Sequence, residues 1–168
     1  FTFAVQADSH LDYNTTPELY KQTLSNIIER KPDFLVDLGD TFMTDKYARY
    51  EDAGKQYFAQ RYYFGLLSAC SPVFLALGNH DGEQGRWVNG TGENMAVWSA
   101  RMRNRLFPNP APDSFYGGNL REEVGVGKLR DYYSWTWGDA LFIVLDPFWY
   151  TRERGGDDSW GRTLGAEQ

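Results

Sequence analysis

Cysteine is nearly missing from this sequence: Cys70 stands alone among 168 residues, so no internal disulfide can hold the fold. That scarcity fits either an oxidising or a reducing compartment, because nothing depends on the redox state. Histidine is almost as rare, and any imidazole chemistry is confined to His10 and His80. No run approaches the ~20 apolar residues that a membrane helix needs, which excludes a membrane-spanning helix. Basic charge is in deficit too. Lys+Arg 17 against Asp+Glu 23 gives a net charge of −6 and a pI near 4.9, a field that opposes non-specific attachment to nucleic acid or to an anionic membrane. Repeats and low-complexity tracts are absent. What remains is an ordinary globular composition, 42% hydrophobic and 24% charged, at the length of one domain of ~100–200 residues.

Short apolar runs that end in polar residues recur along the chain. Phe1 to Val5 leads to Asp8-Ser9-His10, Phe34 to Leu38 to Gly39-Asp40, Val73 to Leu77 to Gly78-Asn79-His80-Asp81, and Leu141 to Leu145 to Asp146-Pro147. Their length and their Val, Ile, Leu and Phe content predict strands buried on both faces. Between the first two runs, Thr16 is an N-cap candidate and Pro17 suits the first helical position, where a missing N–H costs nothing. Tyr20, Leu24, Ile27 and Ile28 make one apolar stripe, and Pro32 closes the helix. Tyr50 to Leu67 predicts a second helix. The β-α-β-α-β order implies parallel strands.

Residues 82–130 read differently, as long Gly-, Asn- and Pro-containing loops around one short helix over Glu93 to Arg105. After them, Tyr132 to Trp137 and Ala140 to Leu145 flank Gly138-Asp139, and a glycine-first two-residue loop predicts a type II′ hairpin of antiparallel strands. The fold class is therefore α/β with mixed strand directions. The chain starts at Phe1-Thr2-Phe3 and stops at Leu164-Gly165-Ala166-Glu167-Gln168, the opening of a helix pattern. Both ends read as interrupted, and a fold incomplete at the carboxyl end is the expectation.

In an open α/β sheet, functional groups collect beyond the carboxyl ends of the strands. Asp8, His10, Asp40, Asn79 and His80 all fall within a few residues of such ends, so parallel strands bring them to one edge. Carboxylates, imidazole and an amide oxygen are ligands for divalent cations such as Mn²⁺, Fe²⁺ and Zn²⁺. The ordered set Asp8-x-His10, Gly39-Asp40 and Gly78-Asn79-His80-Asp81 resembles the calcineurin-like metallophosphoesterases, over residues 1–81 and more loosely to Asp146. That resemblance implies an αββα-type sandwich with a mixed sheet and a phosphate-ester substrate. It implies Asp8 and His10 on one metal, Asp40 bridging two, and Asn79 on the second. His80 would be the general acid facing the leaving oxygen, with Asp81 orienting its ring, and the attack on phosphorus would come from a metal-bridging hydroxide.

The family adds downstream histidines that this chain lacks after His80. Asp40 and Asn79 alone leave the second metal site incomplete. The competing expectation is a non-catalytic fragment or binding module that keeps the fold, with self-association through an exposed sheet edge. Other features carry ordinary expectations. Asp12 and Asp45 read as solvated carboxylates. Arg101, Arg103 and Arg105 read as a solvated helix face rather than a phosphate patch. The aromatic residues from Tyr132 to Tyr150 read as core, with Trp149 and Tyr150 as secondary candidates for lining a cleft.

Overall fold

The computed structural model describes residues 1–153 together with 164 and 168. The expected helix start at 164–168 lies outside the described residues apart from Leu164 and Gln168. The chain forms two compact units, Phe1–Asp81 and Gly82–Gln168.

The first unit is built from β1 (Phe3–Gln6), α1 (Pro17–Glu29), β2 (Phe34–Asp37), α2 (Tyr50–Ser68) and β3 (Val73–Leu75). The strands make one parallel sheet in the order β1-β2-β3, in register at Phe3 with Phe34 and Leu35 with Val73. β2 is therefore central and buried along its whole length. β1 is not buried on both faces as its composition predicted: Phe3 is 45% and Val5 52% exposed. It is an edge strand among the described residues, and Phe3 and Val5, which point to the same sheet face, are covered there only in part, Phe3 by stacking on Phe34. Helix α1 begins at Pro17 as expected, although the Thr16 side chain makes no cap hydrogen bond. Tyr20 and Leu24 carry its buried stripe. Beyond it, Lys31 takes a left-handed conformation (φ 50°), which with Pro32 turns the chain into β2. Helix α2 buries Ala53, Tyr57, Phe64 and Leu67, and the Tyr57 ring stacks on Phe42 at 4.1 Å.

The second unit holds α3 (Met95–Leu106), β4 (Gly117–Gly118), β5 (Glu122–Glu123), β6 (Gly127–Lys128), β7 (Tyr133–Trp137) and β8 (Ala140–Val144). Asn94 caps α3, its side-chain oxygen accepting the Val97 N–H at 3.0 Å. β7 and β8 pair antiparallel across Gly138-Asp139 and extend to β4, while β5 and β6 form a separate two-stranded ribbon. Gly138 has φ 61° and Asp139 is outside the left-handed region, as the type II′ turn requires. Leu141 and Ile143 of the outer strand β8 are exposed, again against the expectation of a strand buried on both faces. Ala96, Val97, Ala100, Leu129 and Trp149 form this unit's core. The α/β class thus contains parallel pairing in one sheet and antiparallel pairing in another.

Candidate metal centre

The loops that leave β1 and β2 are conformationally expensive. Asp8 (φ 55°), His10 (51°) and Leu11 (54°) follow β1, and Asp40 (52°) and Met43 (51°) follow β2, all in the left-handed region. Non-glycine residues held there cost roughly 1–3 kcal/mol each and cluster at functional sites, where the surroundings over-determine them. Gly39 (φ 97°) and Gly78 supply the close approach of the loops after β2 and β3: a Cβ on Gly39 would collide with the Gly78 backbone, and one on Gly78 with Asp40. The pairing of the β1 and β2 loops continues past the strands, with Asp8 N–H donating to Gly39 O at 3.0 Å and His10 N–H to Asp40 O at 3.2 Å.

This geometry brings Asp8, His10 and Asp40 together, each offering a ligand atom within 4.8 Å of the others. Opposite ligands of one ion, each at about 2.2 Å, lie about 4.4 Å apart, so the three are within small adjustments of a common shell. Asp40 is buried, and its Oδ1 is held by the His80 backbone N–H at 2.8 Å. Nε2 of His10 is buried and has no hydrogen-bond partner; the nearest Asp8 oxygen is 3.5 Å away. A buried imidazole nitrogen without a partner costs free energy unless something occupies its lone pair. Two carboxylates and that nitrogen fit a divalent cation of the Mn²⁺, Fe²⁺ or Zn²⁺ type. Asn79 sits half-buried in the turn after β3, next to the amide that fixes Asp40.

The two carboxylates expected to be solvated are not. Asp45 meets Nδ1 of His80 with both oxygens, at 2.9 and 3.0 Å, from a side chain only 11% exposed. Asp12 lies 3.6 Å from Nδ1 of His10 and 3.5 Å from Lys46 Nζ. Burial works to raise the Asp12 pKa but is outweighed by the Asn14 backbone N–H, Lys46 and His10, so it is lowered overall. Asp81 corrects a third expectation, because it does not orient the His80 ring. Its Oδ1 accepts the Thr41 and Phe42 N–H groups at 2.8 and 2.7 Å, and its Oδ2 those of Gly78 and Asp40 at 2.8 and 3.1 Å. Burial pushes its pKa up to about 7 against the pull of these bonds. Asp81 thus fastens the β2 loop to the β3 loop through the backbone. Below them, Asp37 is fully buried and pushed up to about 6 by burial; it accepts from Gln6, Gly39 and Thr41.

The alternation Asp8-x-His10-x-Asp12 was the one sequence signal for Asp12. Nothing local marked Asp45, which is brought to His80 by the 3₁₀ turn Thr44–Lys46.

In the second unit, Arg103 is neither on a solvated face nor in a phosphate patch. It is 0% exposed and binds Glu83 bidentately at 2.6 and 2.8 Å, with further bonds to the Leu129 and Arg130 carbonyls. Arg101 and Arg105 are exposed. Trp149 is core, packed with Ala96, Val97, Ala100 and Leu129. Asp131 and Asp146 are fully buried, and burial, then the Asp131 charge, drives the Asp146 pKa well above the carboxylate range.

A family model described as calcineurin-like phosphoesterase matches residues 1–157 of the chain. No curated protein matches it significantly.

Proposed function

Because the chain belongs to the calcineurin-like phosphoesterase family, we propose that it hydrolyses phosphoric ester bonds with a dinuclear metal centre in which His80 is the general acid. The observation that carries the proposal is the Asp8, His10 and Asp40 cluster with its unpaired His10 nitrogen. Asp8 and His10 would hold one ion, Asp40 would serve two, and Asn79 would hold the second. Bound divalent cations supply acidity toward water and neutralise charge on phosphoryl oxygens.

The chain's own residues do the rest. The His80 N–H and the Asp81 carboxylate keep Asp40 and the 78–80 turn at a fixed spacing. Asp45 holds the proton on Nδ1 of His80, which leaves Nε2 as the atom that gives a proton to the departing ester oxygen. Such proton transfer contributes roughly 10²–10⁴-fold.

A test is hydrolysis of p-nitrophenyl phosphate and bis(p-nitrophenyl) phosphate by the Mn²⁺-loaded chain. Release of nitrophenol that disappears in Asp40→Asn is expected. No release from either ester by a chain that carries metal contradicts the proposal. A second reading, a one-metal binding module, is favoured by one observation: among the described residues a single group of three His, Cys, Asp or Glu side chains meets the geometry for an ion.

A further inference from the structure

Two glutamines of α2 reach both ligand-bearing loops. Gln56 and Gln60 are one turn apart on the same helix face, and both are buried, at 4% and 0% exposure. Gln60 Nε2 donates to Ser9 Oγ at 2.7 Å and to Thr41 O at 3.0 Å. Gln56 Nε2 donates to His10 O and, at 3.2 Å, to Thr41 O. Ser9 and His10 belong to the loop after β1, and Thr41 directly follows Asp40 in the loop after β2.

The far ends of the two amides are tied as well. Gln60 Oε1 accepts from Tyr20 Oη at 3.3 Å, and Gln56 Oε1 from Tyr47 Oη at 2.8 Å. Tyr20 Oη in turn receives a bond from Gln6 at 3.2 Å. The amide orientation is forced, since the His10 and Thr41 carbonyls can only accept. Leaving either amide unpaired in this interior would be costly, so both side chains are fixed by what they bridge. They also span the segments where Asp8, His10 and Asp40 sit at positive φ, a conformation that persists only under outside restraint.

We propose that Gln56 and Gln60 are positioning residues of the metal centre. By clamping the β1 and β2 loops to α2 at one spacing, they set the affinity with which Asp8, His10 and Asp40 hold a divalent cation. The inference rests on the metal-centre reading above. Removing a group that orients metal ligands typically weakens metal binding about 10–100-fold.

The experiment is calorimetric titration of the full chain with Mn²⁺, together with the Mn²⁺ electron paramagnetic resonance line shape and the melting temperature of the metal-free protein. Gln60→Met and Gln56→Met remove the donors at similar volume. Each should raise the Mn²⁺ dissociation constant about tenfold and broaden the resonance in variants whose circular dichroism stays native. Ser9→Ala, a small change that keeps the fold if Gln60→Met does not, should raise it several-fold. Combined with Gln60→Met, it should raise it by less than the product of the single effects, because both remove the same bond. Folded variants with a dissociation constant within twofold of wild type overturn the proposal, even where the melting temperature falls, since that is the behaviour of a purely structural pair. Wild-type chain that binds no Mn²⁺ overturns the metal centre itself and this inference with it.

Discussion

Replacing Glu83 by Gln changes one atom of a buried ion pair and should cost this protein a large share of its stability. The guanidinium of Arg103 and the carboxylate of Glu83 are both essentially unexposed and share two bonds, at 2.6 and 2.8 Å. In Glu83→Gln one bond survives with a neutral acceptor, while the other is replaced by an amide NH₂ facing a guanidinium N–H. The other hydrogen-bond partners of Arg103, the Leu129 and Arg130 carbonyls and the Asn104 side chain, are dipoles, while the buried Asp131 and Asp146 act on the guanidinium through charge with a smaller effect than Glu83. Stranding one partner of a buried ion pair costs about 3–5 kcal/mol. At about 2–4 °C per kcal/mol for a chain of this size, the melting temperature should drop by roughly 6–20 °C. Thermal unfolding followed by circular dichroism at pH 7 measures this. The double variant Glu83→Met/Arg103→Met should be more stable than either single variant, because removing both charges leaves neither stranded. A Glu83→Gln loss below about 1 kcal/mol, the worth of an exposed pair, would show the reasoning to be wrong.

Three further outcomes are expected. Asp40→Asn should strip more metal than His10→Ala, because a shared ligand serves both ions; equal loss by plasma mass spectrometry would count against the bridging role. His80→Gln should lower kcat by roughly 10²–10⁴-fold with metal content intact, and Asp45→Asn should lower it in the same direction; loss of metal from His80→Gln would make His80 a ligand rather than the acid. Asp146 gives a pH signature, since its folded pKa is raised and the folded state keeps a proton that the unfolded chain releases above about pH 4. Its contribution is therefore fully present at low pH and lost as pH rises through the folded pKa, by up to about 1.4 kcal/mol per pH unit. Asp146→Asn should gain stability relative to wild type between pH 5 and pH 8 in scanning calorimetry, and a constant difference would refute the assignment.

The cluster of Asp8, His10 and Asp40 was legible because its signal is local. Each follows an apolar run, and parallel pairing of β1, β2 and β3 places the run ends side by side. Helix α1 was legible for a similar reason, through Pro17 and the stripe at Tyr20 and Leu24. Burial was less so. The apolar sequences of β1 and β8 say that they prefer cover, but the alternate residues exposed on each, Phe3 and Val5 or Leu141 and Ile143, depend on what packs over that face of the sheet. The supporting contacts were not legible. Asp45, Gln56 and Gln60 act on groups 15 to 51 positions away, so these partners exist only once the tertiary fold has formed, and Asp81, which the motif did mark, holds the Thr41 and Phe42 amides about 40 positions away rather than the His80 ring. Arg103 shows the same limit. A charge within a run of alternating arginines reads as surface, and only the packing around Glu83 makes it core.

The most direct test is metal stoichiometry of the full chain after Mn²⁺ loading and desalting, read by plasma mass spectrometry alongside Asp40→Asn. The account predicts one firmly held ion per wild-type chain, a second that is retained only when Mn²⁺ is kept in excess because Asp40 and Asn79 alone hold it, and a near-complete loss of both in Asp40→Asn. One ion per chain even in excess Mn²⁺ would support the binding-module reading and contradict the dinuclear centre. No bound ion would contradict the assignment of Asp8, His10 and Asp40 as a metal site.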